Sequence, residues 1–125
     1  IRQHAPRQAE KMPELAEIIM NAGDAYGIDP FVLAGLIKTE STFDRRAVSS
    51  VGAIGLPQFL PATIRMHRVS VATYNRSIRV QVNLAARYLR DLTLRYGSQD
   101  LAILAYNGNL TPSQARYVMR VNRIR

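Results

Sequence analysis

Apolar positions recur with a helical period over most of the chain. Within residues 13–26, Leu15, Ile18, Ile19, Ala22 and Tyr26 share one face, with Pro13 in a first-turn position and Gly27 as the stop, which predicts an amphipathic helix. Asp29 and Pro30 then supply the cap and opening residue of a second helix reaching about Ser41. Its apolar residues nearly encircle it, which predicts a central place in the core. From Phe43 to Thr63 the period breaks at Gly52, Gly55, Pro57 and Pro61, predicting an ordered loop with one or two short helical turns. A short helix is expected from Pro61 to about Val69. The stripe of Ile78, Val82, Ala85, Leu89, Leu92 and Tyr96 predicts the longest helix, over 77–96, stopped by Gly97. Ser98 caps an apolar helix ending near Asn107, and Thr111 with Pro112 opens the last one. The chain reads as all-α, a single domain over residues 1–125 with its core over about 13–122.

Composition narrows the chemistry. The 125 residues are 47% apolar and contain no cysteine, so a core can form without disulfides, and thiolate metal sites are excluded. His4 and His67 stand apart in the sequence and no calcium-loop pattern occurs, so neither metal nor cofactor is expected. No apolar stretch reaches the length of a membrane span, and the first residues lack the apolar centre of a signal peptide. The balance of 17 basic against 9 acidic residues gives +8. Between Arg45 and Arg95 the only acid is Asp91, against Arg46, Arg65, Arg68, Arg76, Arg79, Arg87 and Arg90. Such a surface either suits an anionic partner (nucleic acid, anionic lipid or a wall polymer) or simply keeps the protein solvated. Nucleic acid is the weakest of these: the helix after Gly27 is apolar where a reading helix needs polar groups.

One residue breaks the logic of its own pattern. In "FVLAGLIKTESTF", Leu33, Leu36, Ile37 and Glu40 fall at i, i+3, i+4 and i+7, so a carboxylate shares the inward stripe. Removal from water and the negative end of the helix dipole both disfavour its charged form and raise its pKa. A carboxylic acid that keeps its proton near neutral pH can deliver it to a leaving oxygen, as glycosidic cleavage requires. The competing reading is a buried Glu neutralised by one of the many arginines, which would lower the pKa instead.

The stretch that follows, "ESTFDRRAVSSVGAIGLPQFLPAT", resembles the signature of the lytic transglycosylase (SLT) domain of the goose-type lysozyme-like superfamily. The match is carried by Glu40, Ser41, Phe43, Ala47, Ser49, Gly52, Ala53, Gly55, Leu56, Gln58, Pro61 and Thr63. A second block, "ARYLRDLTLRYGSQDLAILAYN", is similar to the family's Y-L-x-x-L, Y-G and A-Y-N segments through Tyr88, Leu89, Leu92, Tyr96, Gly97, Ala105, Tyr106 and Asn107. The resemblance implies a lysozyme-like helical fold around a central buried helix, with the Gly/Pro loop lining the groove. It implies Glu40 as the single catalytic acid, and Ser49, Gln58, Tyr106 and Asn107 as sugar-binding residues. It implies peptidoglycan glycan strands as substrate, a periplasmic, envelope or virion-associated setting, association with a larger envelope or phage assembly, and no cofactor. The expected reaction is non-hydrolytic, with one Glu serving first as acid and then as base; a muramidase of the same fold is the alternative. Pro57 stands where the family usually has methionine, and "YNGNL" replaces Y-N-A-G-P, so the groove is expected to differ in shape. Gln81 and Ala85 stand where Asn and Gly are usual, which points to altered packing.

Overall fold

The structure, a computed structural model, describes residues 5–124. Among them seven helices follow in order: α1 (Ala5–Tyr26), α2 (Pro30–Ser41), α3 (Pro61–Met66), α4 (Val71–Arg76), α5 (Ile78–Tyr96), α6 (Gln99–Tyr106) and α7 (Pro112–Ile124). The caps are those the side chains favour. The Asp29 carboxylate accepts from the Phe31 amide, and the Ser70, Ser77 and Ser98 hydroxyls accept from Thr73, Val80 and Leu101.

Three elements depart from the expectation. First, α1 begins at Ala5 and runs through Pro13 instead of starting there. The ring's fixed φ is compatible with a helix, and the missing N–H removes one backbone bond without ending it. Second, α4 had no counterpart in the sequence reading, because six residues are too few to display a period; its one local sign is the Ser70 cap. Third, the loop before Pro61 contains no helical turn. It folds back on itself through two isolated antiparallel bridges, Val48 with Ile54 and Ile54 with Phe59.

The core is built on α5, which packs against α1, α4, α6 and α7. Val82, Ala85, Ala86 and Leu89 are fully buried, and each large aliphatic among them contributes about 1.5–3 kcal/mol by leaving water. Helix α2 lies on α1 and buries Leu33, Leu36 and Ile37. Its apolar ring is only partly covered: Phe31 is 88% exposed. A second, smaller cluster of Phe59, Ile64, Tyr74 and Leu84 lies under the loop.

Candidate active site

Glu40 occupies the last turn of α2. The chain then leaves the helix abruptly: Thr42 (φ 50°) and Phe43 (φ 61°) are consecutive left-handed residues, and the Thr42 amide bonds the Lys38 carbonyl at 2.9 Å. Neither residue is glycine, so each costs about 1–2 kcal/mol of backbone strain. The surrounding packing must supply that stabilisation, a pattern concentrated at functional sites.

Glu40 itself is half-buried, at the edge of the core instead of within it, while Leu33 and Ile37 of the same stripe are fully buried. Burial pushes its carboxyl above the ordinary carboxylate value. No arginine forms a salt bridge with it among the described residues; Arg90 bridges instead to Asp91 at 3.0 Å. The other acids of the region are otherwise engaged or exposed. The Asp44 carboxylate accepts from the Arg46 amide at 2.9 Å, and Asp100 lies exposed in the first turn of α6.

Phe59, His67, Tyr88 and Tyr106 form an aromatic wall. The Tyr106 phenol is pushed well above its usual pKa, first by burial and then by the charges of Tyr74, Glu40 and Tyr88, which places the Glu40 carboxyl in its neighbourhood. The Tyr106 ring lies 5.4 Å from Tyr88 and 5.7 Å from Phe59 by ring centroids, and Tyr88 lies 5.5 Å from His67. Rings at these separations and tilted angles attract one another beyond the area they bury.

The loop between the acid and the wall is fastened from three helices. Tyr74 of α4 donates its hydroxyl to the Ile54 carbonyl at 2.7 Å. Gln81 of α5 accepts from the Leu56 amide at 2.9 Å and donates to the Tyr74 carbonyl at 2.9 Å. Tyr106 of α6 donates to the Pro57 carbonyl at 2.9 Å. Gln81 is fully buried and both ends of its amide are satisfied, so this polar group fixes the loop without the cost of an unmade bond. Gly55 sits at the centre of the arrangement with φ 80°.

The residues singled out in the sequence are thus distributed as follows. Ser49 accepts through Oγ from the Ala53 amide at 3.0 Å and from the Val51 amide at 3.3 Å, closing the turn that leads to Ala53. Gln58, itself left-handed at φ 56°, donates through Nε2 to the Ala47 and Gly55 carbonyls at 3.0 and 2.9 Å. Tyr106 joins the loop to α6, while Asn107 is the exposed C-cap of α6. Sequence reasoning missed Tyr74 and Phe59, took Tyr88 only as part of a family block, and read Gln81 as a packing change only. A polar residue beside the apolar stripe of Ile78, Val82 and Ala85 was the available sign for Gln81.

A separate apolar hollow of about 290 Å³ lies between α1 and α2, lined by residues including Leu15, Ile19, Met20, Phe31 and Phe43. It presents no group able to transfer a proton.

Comparison with known proteins places the chain in a family. A model of the transglycosylase SLT domain family matches residues 17–117. A transglycosylase of Enterobacteria phage PRD1 is 39% identical over 92 residues, covering 74% of this chain and 34% of the phage protein. A membrane-bound lytic murein transglycosylase C of Haemophilus influenzae is 44% identical over 46 residues, covering 37% of this chain and 13% of its own length. The Histophilus somni protein of the same name matches to the same extent, 44% over 46 residues. The chain therefore spans about a third of the phage relative and a smaller part of the others. Because the family model matches residues 17–117, most of the chain, the chain belongs to the transglycosylase SLT domain family.

Proposed function

We propose that this domain is a peptidoglycan lytic transglycosylase that cleaves the β-1,4 bond between N-acetylmuramic acid and N-acetylglucosamine without consuming water. The observation that carries the reading is Glu40: a half-buried carboxyl of raised pKa, with no ion-pair partner among the described residues, beside an aromatic wall.

Glu40 would first give its proton to the glycosidic oxygen as the bond from the muramoyl C1 breaks, and the N-acetylglucosamine leaves with a hydroxyl. The carboxylate so formed takes the proton from the muramoyl C6 hydroxyl while that oxygen bonds to C1. Protons and bonds balance, and the product is a 1,6-anhydro sugar. The substrate's acetamido oxygen meets the positive charge at C1, a task given to a second carboxylate in most glycosidases. Asp44 and Asp91 are poor candidates for that second role, since one caps a turn and the other pairs with Arg90.

Ser49 keeps its hydroxyl hydrogen and Gln58 its side-chain carbonyl for a substrate, and the exposed Asn107 amide lies one residue beyond Tyr106. The +8 charge attracts the carboxylates and phosphates of the wall, an effect that salt screens. The setting that follows is the cell envelope or a virion that must breach it, in the company of a larger assembly.

Digestion of purified sacculi followed by mass spectrometry tests this directly. Anhydromuramoyl ends are expected; products one water heavier would select the hydrolytic alternative. The pH profile adds a second check. A general acid works only while protonated, so kcat/KM should fall as pH rises through the Glu40 pKa, and burial places that limb above the ordinary Glu range. A limb at or below that range would remove Glu40 as the acid.

A further inference from the structure

His67 follows α3 directly and is half-buried at the far end of the aromatic wall. Its ring stacks on Phe59 at 6.2 Å and meets the edge of Tyr88 at 5.5 Å. Arg87 of α5 reaches it twice, with Nη2 lying 3.1 Å from the imidazole Nδ1 and donating to the His67 carbonyl at 3.3 Å.

Arginine carries donors and no acceptor, so the contact at Nδ1 is a hydrogen bond only if that nitrogen is bare. The proton of the neutral ring must then sit on Nε2. Among the described residues every fully buried side-chain nitrogen or oxygen has a partner, and Nε2 has none, so Nε2 is not sealed from solvent. The charge state agrees: burial first, and the Arg87 cation second, hold the imidazole below its usual pKa against a weaker opposite effect of Asp91. A neutral ring whose N–H has no partner within the protein, continuing the row of rings through Tyr88 to Tyr106, has the form of a sugar contact: an apolar face with a free donor.

We infer that His67 contacts the glycan strand, donating from Nε2 to an acceptor oxygen of a sugar removed from the scissile bond, and that Arg87 is the positioning residue that fixes its tautomer. The inference rests on the glycan-cleaving reading above. It requires no metal and no change in the ring's charge during turnover.

Nitrogen-15 NMR of the wild-type imidazole reads the tautomer without any substitution. A bare Nδ1 and a protonated Nε2 are expected at neutral pH; a protonated Nδ1 overturns the inference. Arg87→Met should shift the ring towards a mixture of tautomers, which loss of packing alone would not do; an unaltered ring overturns the role of Arg87. Binding is measured on Glu40→Gln protein, so that the strands persist, using soluble peptidoglycan glycan strands stripped of stem peptides. The strands should perturb the His67 resonances. Adding His67→Phe, which keeps a stacked ring and deletes the donor, should weaken binding about threefold to tenfold, and His67→Gln should recover part of that loss. Equal affinity in the phenylalanine variant overturns the inference while leaving the enzyme proposal intact. Full lytic activity in the Glu40→Gln protein would instead bring down the enzyme proposal.

Discussion

Glu40→Gln is expected to reduce lytic turnover by at least about 10³-fold, because the amide fills the same space but has no proton to give a leaving oxygen. The measurement is release of soluble muropeptides from sacculi, alongside thermal unfolding. The fold should survive, and at neutral pH should gain slightly. The sign follows from the raised pKa. Between the ordinary and the raised value the folded state binds more protons than the unfolded one, so stability falls as pH rises through that window. The amide does not ionise and escapes the loss. A variant that keeps even a tenth of the activity would place the proton transfer elsewhere.

Gly55→Ala is the substitution expected to damage the fold most. A Cβ there would lie 2.7 Å from Gln81 Oε1 and 2.9 Å from both Tyr74 Cε1 and the Tyr74 hydroxyl, and the residue must also hold φ 80°. The left-handed backbone alone costs about 1–2 kcal/mol with a side chain present. Displacing Gln81 or Tyr74 then breaks bonds made inside the protein, each costing about 1–3 kcal/mol when a buried group is left unpaired. A loss of at least about 3 kcal/mol is expected in urea unfolding, with a Tm lower by about 10 °C. Gly52→Ala is the control. That residue has φ 88° with nothing within 4 Å of the added carbon, so it should show the backbone cost alone. Equal losses for the two variants would show that the crowding around Gly55 contributes nothing.

These two residues also mark what the sequence made legible. Glu40 stood out because helical spacing is a local property: a carboxylate at i+7 of an apolar stripe can be seen within a dozen residues. The long helices were readable for the same reason, through the stripe of α5 and the caps at Asp29, Ser77 and Ser98. The loop was not. Its conformation is set by Tyr74, Gln81 and Tyr106, which lie between 20 and 49 residues along the chain from the groups they hold. No period connects such partners, so the family resemblance could mark Gly55 and Gln58 as significant without showing that the Gln58 Nε2 ties Ala47 to Gly55 within the loop. Helix α4 escaped notice for the opposite reason, being too short for any pattern, yet it carries the tyrosine that receives one end of Gln81. The inward stripe likewise overstated the depth of Glu40: Ser41 beside it ends the helix buried, while the Glu40 position reaches only the edge of the core.

The threefold fastening of residues 54, 56 and 57 has a consequence for how a polymer is met. A segment tied at neighbouring points to separate helices has no hinge of its own and cannot swing shut over an arriving strand. Recognition must then resemble a die more than a clamp: the ordering entropy is spent when the chain folds, and little remains to be spent on capture. On the proposed function, only strands that fit the finished contour would be cut.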